Sequence, residues 1–167
     1  MSKINYISIA KKSAEIQINE LKKIKKIFNK SFIKAVDLIL NCKGKVILAG
    51  LGKSGLIARK ISATLSSVGV PSFFCDPAQA LHGDMGQIEK KDLLIIISYS
   101  GNTSELSNML RYANRYRIKI IGIASKIDSI LLKASDVKLI LPKVIESDKT
   151  GMVPTTSTTL TLLLGDC

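Results

Sequence analysis

The chain has 167 residues, of which 46% are hydrophobic and 23% charged, a composition typical of one ordered globular domain rather than a disordered segment. No apolar run approaches the roughly 20 residues that cross a bilayer, and the N-terminus lacks a signal-peptide core. We therefore expect a cytoplasmic protein without membrane contact. The three cysteines, Cys42, Cys75 and Cys167, have no CxxC spacing and are expected to be reduced thiols.

The net charge of +12 is concentrated near the N-terminus. Residues 1–60 contain 14 of the 25 Lys and Arg residues but only 3 of the 13 Asp and Glu residues. Binding of nucleic acid is one interpretation of such a segment. Because these charges are nearly all Lys, with few interleaved aromatic residues for base stacking, we favour a solvated helix face and no nucleic-acid partner. The lysines concerned are chiefly Lys22, Lys23, Lys25, Lys26, Lys30 and Lys34.

Apolar side chains at helical spacing over residues 7–40 predict two helices with a break near 29–31. Strands and helices then alternate. The predicted strands are 45–49, 71–75, 92–97, 119–123 and 137–141; the predicted helices are 57–68, a short one around 78–83, about 104–116, a short one near 127–134, and one from 155–157 onward. This alternation predicts an α/β fold: an open, doubly wound, five-stranded parallel sheet in the flavodoxin-like order 2-1-3-4-5, preceded by N-terminal helices.

A glycine-rich segment, Gly50-Leu-Gly-Lys-Ser-Gly55, follows the first predicted strand. It matches G-x-G-x-x-G, and Asp76 after the next strand is then a candidate ribose-binding acid of a dinucleotide site. A P-loop is excluded, because Ile47 stands where that motif requires glycine. A third interpretation is a phosphate or sugar site with Ser54 as donor and Lys53 as cation. A tight turn without a ligand remains the structural alternative.

The segment Ser98–Glu105, which we call the hydroxyl-rich loop, follows the buried third strand and precedes a helix. Its hydroxyl groups and the free N–H groups of a helix N-terminus suit a phosphate dianion. Capping of the helix by Thr103 alone is the alternative, but a cap needs fewer hydroxyls than this loop offers. In the order 2-1-3-4-5, the loops after strands one and three border one crevice, which favours a small phosphorylated ligand.

Four motifs in this order resemble the sugar isomerase (SIS) domain, and more narrowly the arabinose 5-phosphate isomerases. They are Gly50–Gly55, Leu81-His-Gly-Asp84, Ile97–Glu105 and Val153-Pro-Thr-Thr-Ser-Thr-Thr159. The resemblance runs from about residue 8 to the end. It implies interconversion of D-ribulose 5-phosphate and D-arabinose 5-phosphate through an enediol, for octulosonate synthesis in lipopolysaccharide or capsule.

The resemblance also implies site residues. It assigns substrate or phosphate binding to Gly52, Ser54, Ser98, Ser100, Thr103, Thr155 and Ser157, catalysis to Lys53, Glu105 and Glu146, and a metal to His82. An enediol mechanism needs a base and a group that stabilises the oxyanion, and no redox cofactor. A glutamate that acts near neutrality would need its pKa raised by burial. No cofactor is expected, and zinc or another divalent ion at His82 could be inhibitory.

Such relatives continue to a catalytic histidine in a Ser-His-Pro-Gly-Gly segment and usually to paired CBS domains, which this sequence lacks. We therefore expect a single SIS domain over 1–167, with a helical region (1–43) and an α/β core (44–167). The resemblance further implies a homo-oligomer, a dimer or tetramer. The alternatives are a non-catalytic SIS module that senses a sugar phosphate and a nicotinamide-dependent oxidoreductase.

Overall fold

A computed structural model describes residues 5–167. The helices are α1 (Tyr6–Leu21), α2 (Lys30–Leu40), α3 (Gly52–Ser67), α4 (Leu106–Tyr116), α5 (Ile130–Ala134) and α6 (Thr156–Asp166). The strands are β1 (Val46–Gly50), β2 (Ser72–Cys75), β3 (Leu93–Ile97), β4 (Lys119–Ala124) and β5 (Val137–Ile140). Short 3-10 segments cover Lys22–Ile27, Ala80–His82 and Asp84–Gln87.

The five strands form one parallel sheet in the order β2-β1-β3-β4-β5, which confirms the predicted topology. Every residue of β1 and β3 is buried, as expected for central strands covered on both faces. These two strands are direct neighbours, with Val46 opposite Leu93 and Gly50 opposite Ile97. Their carboxyl ends, and the loops that follow them, therefore lie side by side.

Helices cover both faces of the sheet. Side chains from α2, α3, α6 and the first 3-10 segment pack with one set of alternating strand residues, and side chains from α4 and α5 pack with the other set. Val46 and Leu48 point to the first face, while Ile47 and Ala49 point to the second. Since the helices after β1 and β3 lie on opposite faces, the sheet edge between them stays open.

The helix after β1 begins earlier than the sequence pattern predicts, at Gly52 rather than residue 57. The apolar periodicity starts late because the first turn carries Lys53 and Ser54, which do not face the core. The glycines permit this start: a Cβ at Gly55 would lie 2.7 Å from the carbonyl oxygen of Gly50, so only glycine lets helix and strand approach so closely.

The N-terminal region also differs in detail from the prediction. Between the two predicted helices the chain forms a 3-10 segment, and the break falls at 28–29, where the Asn29 side chain accepts a hydrogen bond from Ser31 N–H. Lys22, Lys25, Lys26, Lys30 and Lys34 are exposed, as a solvated face requires, whereas Lys23 is half-buried. Among the described residues, no helix combines the length and apolarity needed to span a bilayer.

A buried carboxylate joins the starting ends of the two central strands. The side chain of Asp92 has no exposed surface; its Oδ1 accepts from Lys45 N–H and its Oδ2 from Glu89 N–H, both at 2.8 Å.

Because removal of this carboxylate leaves two N–H groups without an acceptor, we expect Asp92→Ala to lower the free energy of unfolding by about 2–4 kcal/mol. Urea unfolding measures this. Asp37→Ala, an exposed control on α2, should change stability by about 0.5 kcal/mol or less, and equal losses in both variants would contradict the role of Asp92.

Candidate functional site

A cavity of about 540 Å³ opens at the carboxyl ends of β1 and β3. Three parts of the chain form its walls: the start of α3, the hydroxyl-rich loop, and residues 141–155 with the first turns of α6. We call residues 141–155, which connect β5 to α6, the cavity loop. The polar side chains in the lining are those of Lys53, Ser54, Ser98, Tyr99, Ser100, Thr103, Glu146, Ser157, Thr158 and Thr161.

The first wall is the N-terminal turn of α3. Lys53 is exposed and Ser54 half-buried, and both line the cavity. The start of a helix carries unpaired N–H groups and a partial positive charge, and here an ammonium group stands beside them. This wall therefore favours an anionic ligand.

The second wall is the hydroxyl-rich loop. The Oγ atom of Ser98 lies 2.9 Å from Thr103 Oγ1 and accepts a hydrogen bond from Gly101 N–H, and Ser100 lines the same cavity. Helix α4 begins at Leu106, two residues later than predicted, so Thr103 lies before the helix and does not cap it. Within residues 5–167, the backbone N–H groups of Thr103 and Ser104 have no hydrogen-bond acceptor. Three hydroxyls thus line one cavity, with free N–H groups in the same loop, as expected for a phosphate site.

The hydroxyl-rich loop is held in place by the segment between β4 and α5. Asn102 Oδ1 accepts from Ile130 N–H at 3.0 Å, and the Tyr99 carbonyl accepts from both the N–H and the hydroxyl of Ser125. Gly101 has φ +69°, and a Cβ there would lie 2.2 Å from Ser129 Oγ. The loop therefore depends on glycine at this position both for its backbone conformation and for its fit.

The third wall is the cavity loop, and Glu146 organises its junction with α6. Glu146 Oε2 accepts from Thr155 N–H at 2.8 Å, from the Thr155 hydroxyl at 3.0 Å and from Ser157 N–H at 3.2 Å. The carboxylate thus satisfies N–H groups at the start of α6, where the helix dipole favours a negative charge. These contacts hold the carboxylate against the start of α6.

The pKa values of the two predicted catalytic glutamates are both lowered, which is opposite to the expected direction. For Glu146, burial is the largest single influence and raises the pKa, but hydrogen bonds from Ser157 and Thr155 together outweigh it. For Glu105, hydrogen bonds from its own N–H and from the Ser104 hydroxyl lower the pKa. Both side chains are therefore carboxylates at neutral pH and can accept a proton without first losing one.

The structure brings most of the predicted site residues together. Lys53, Ser54, Ser98, Ser100, Thr103, Glu146 and Ser157 all line the cavity. Glu105 and His82 are exposed and outside its lining, as is Gly52. Thr155 contacts Glu146 rather than the cavity.

The two residues that were predicted to bind other ligands, Asp76 and His82, lie outside the lining of this cavity. Asp76, the candidate ribose acid, lines a separate cavity of about 320 Å³ beside Arg59, and its Oδ1 accepts from Ala78 N–H. Among the described residues, no group of three or more His, Cys, Asp or Glu side chains could hold a metal ion. A metal at His82 stays a prediction.

Several polar residues that shape the cavity were not among the predicted site residues. The Tyr99 hydroxyl accepts from Val144 N–H at 3.3 Å, and Asp148 Oδ2 accepts from the N–H groups of Thr150, Met152 and Val153. The cavity loop also contacts three polar residues of the N-terminal helical region, which follow one another at a spacing of three: Gln17, Glu20 and Lys23. Polar residues at this spacing, within a helix pattern of apolar residues, were the sequence signal from which these contacts could have been predicted.

The family model for the SIS domain matches residues 39–167. The chain belongs to the SIS-domain family. This confirms the resemblance found in the sequence, and the match covers the sheet and all three walls of the cavity.

Individual SIS-domain relatives are named for sugar phosphates. The arabinose 5-phosphate isomerase KpsF of Escherichia coli O6:H1 is 46% identical over 142 residues, which are 85% of this chain and 43% of that protein. The solved structure of the E. coli CFT073 protein c3406 in complex with arabinose 5-phosphate is 32% identical with a TM-score of 0.92, covering 98% of this chain and 88% of that one. The structure of a putative phosphosugar isomerase involved in capsule formation from Bacteroides fragilis is 36% identical with a TM-score of 0.91. The match covers 97% of this chain and 86% of that one. The chain spans about half the length of the curated relatives it matches.

Substitution of Gly101 tests the geometry of the hydroxyl-rich loop. We expect Gly101→Ala to lower the free energy of unfolding by about 2–4 kcal/mol, because a positive φ and a close contact with Ser129 both oppose a Cβ. Gly151→Ala is the matched control, since Gly151 has φ +67° but no atom within 4 Å of the Cβ position, and it should cost about 1 kcal/mol. Chemical denaturation of the three proteins checks this, and equal losses in the two variants would contradict the close fit.

Substitution of Glu146 tests the capping of α6. The pKa of Glu146 is lower in the folded chain than its unfolded value of about 4.3, so its stabilising effect is present above that pH. The effect is lost as the pH falls through the folded pKa. We expect Glu146→Gln to lower the free energy of unfolding by about 1 kcal/mol at pH 7 and by less at pH 3. Glu15→Gln, an exposed control, should match the wild type at both values, and a deficit in Glu146→Gln that does not change with pH would contradict this account.

Proposed function

We propose that this chain is an aldose–ketose isomerase domain that interconverts D-ribulose 5-phosphate and D-arabinose 5-phosphate. The observation that carries the proposal is that one cavity is lined by the ammonium group of Lys53, by several Ser and Thr hydroxyls and by the carboxylate of Glu146. The names of KpsF and of the c3406 complex support the same substrate class. The capsule role named for the Bacteroides fragilis protein supports a product used in surface polysaccharide synthesis.

The phosphate binds at the hydroxyl-rich loop in this proposal. Ser98, Ser100 and Thr103 offer hydroxyls, and the backbone N–H group of Thr103, just before α4, is free to donate. Neutral donors and a helix N-terminus hold a dianion without a buried countercharge. Ser54 and Ser157, which line the cavity from the start of α3 and from the first turn of α6, contact the sugar.

Glu146 moves the proton between the two sugar carbons. It is the predicted catalytic glutamate that lines the cavity in this chain, and it is ionised at neutral pH. Lys53, on the α3 wall, stabilises the negative charge that develops on the oxygen of the enediol. Glu105 stays a predicted catalytic residue; its side chain is exposed and is not part of the cavity lining.

The chain is further proposed to act as a cytoplasmic homo-oligomer, without nucleic acid or membrane as partners and without a required cofactor. Large apolar side chains are exposed on the N-terminal helices, and such surfaces mark contacts between subunits. They are Tyr6, Ile7, Ile9, Ile18, Ile33 and Leu40.

The proposal is tested by calorimetric titration with D-arabinose 5-phosphate and by an NMR assay of conversion to ribulose 5-phosphate. We expect the 5-phosphate to bind at least about 100-fold more tightly than D-arabinose, because most of the contacts are to the phosphate. Lys53→Met should lower kcat by about 100-fold or more, while Lys34→Met, an exposed control on α2, should leave it unchanged.

The possible results separate the two SIS interpretations. Binding with turnover supports the isomerase. Binding without turnover in the wild-type chain supports a sensor of sugar phosphates instead. Absence of binding of either pentose phosphate would contradict both, and binding of NAD in its place would support an oxidoreductase.

A further inference from the structure

Helix α1 contacts the cavity loop through polar side chains on both sides of Glu146. Glu20 Oε2 accepts from Ile145 N–H at 2.8 Å, immediately before Glu146. Gln17 Nε2 donates to Ser147 Oγ at 3.2 Å, immediately after it. The two neighbours of Glu146 in the chain are therefore both bound to one helix more than 120 residues away.

From these contacts we propose that Gln17 and Glu20 are positioning residues for Glu146: they hold the cavity loop so that the carboxylate faces the bound sugar phosphate. This inference rests on the proposed function, since it assigns a task to the carboxylate that they position. It extends the site to a helix outside the 39–167 segment matched by the family model.

Apolar packing fixes the loop only as far as Val144, which packs against the core, and not at the residues next to Glu146. The side chain of Ile145 is 64% exposed, and Lys143 is exposed as well. Helix α1 itself has no buried residue, although Leu21 at its end packs against the core. The position of the loop against α1 depends instead on hydrogen bonds, and these require particular side chains.

Glu20 is poorly placed for the stability of its own helix. It is the second-last residue of α1, where the helix dipole disfavours a negative charge. Its side chain is nevertheless only 12% exposed, and Lys23 Nζ lies 2.6 Å from the same oxygen that binds Ile145. Lys23 in turn donates to the carbonyl of Lys143 at 3.3 Å. A buried acid at this end of a helix is thus explained by its contacts with the loop.

Gln17 links the cavity loop to α6. Its Oε1 accepts from the Thr159 hydroxyl at 3.1 Å, while its Nε2 binds Ser147. Ser147 and Thr159 also both donate to Thr155, whose hydroxyl binds Glu146. Gln17 therefore fixes the distance between the loop and the helix start that together hold the carboxylate.

The experiment compares Glu20→Ala, Glu20→Gln and the control Glu15→Ala in the whole chain. Glu15 is an exposed acid on the same helix. Hydrogen exchange of backbone amides is measured first. In Glu20→Ala, exchange at Ile145 should be at least about tenfold faster while the amides of β1 and β3 are unchanged. Glu20→Gln keeps an acceptor oxygen and should stay within about threefold of the wild type.

Turnover and binding of D-arabinose 5-phosphate are measured on the same proteins. Glu20→Ala should lower kcat by about tenfold with less than about a threefold change in KM, since the phosphate contacts lie on another wall. Glu20→Gln should restore most of kcat, and Glu15→Ala should match the wild type.

Two results of the exchange measurement would overturn the proposal: unchanged exchange at Ile145 in Glu20→Ala, or faster exchange of all amides alike, which indicates general destabilisation. A loss of kcat in Glu20→Gln equal to that in Glu20→Ala would also overturn it, because the acceptor is then irrelevant. If the wild-type chain binds no pentose phosphate, the proposed function fails, and the proposal fails with it as a statement about catalysis. Local exchange in Glu20→Ala then decides separately whether Glu20 holds the loop.

Discussion

The site depends on the direct pairing of β1 with β3. These strands are adjacent in the sheet but separated by β2 in the chain, so the helices that follow them leave on opposite faces. The edge between them is not covered by either helix, and a crevice at this place is a consequence of strand order alone. Two helix N-termini, those of α3 and α4, then point toward the same crevice and make it suitable for an anion.

The pairing of these strands does not by itself enclose a ligand. The cavity loop and α6 add the third wall, and their placement depends on carboxylates that accept hydrogen bonds from the backbone. Glu146 joins the loop to α6, Asp148 shapes the turn at 148–153, and Glu20 joins the loop to α1. Hydrogen bonds to the ionised form favour that form, which explains why all three carboxylates have lowered pKa values. The wall is therefore polar in construction, in contrast with the apolar faces of the sheet.

This polar construction has a consequence for the chemistry. A glutamate that is held by helix N–H groups has a fixed position and a defined charge, but it is a weaker base than one in an apolar pocket. The arrangement favours precise placement over raised basicity. In the proposed reaction Lys53 compensates in part, because a cation near the developing oxyanion lowers the energy of the same step.

The sequence by itself determined the strands, their order and the two loops on the sheet edge. Apolar runs such as 92–97 identify buried parallel strands, and the motifs after them identify the SIS family, because both signals are local. Only the tertiary structure decided which residues meet: that Glu146 lines the cavity and Glu105 does not, that Thr155 binds a carboxylate, and that Gln17 and Glu20 contact a loop over 120 residues later. The physical reason is that hydrogen bonds between distant segments carry no periodicity in the sequence. They become visible only when the sheet and helices bring the segments together.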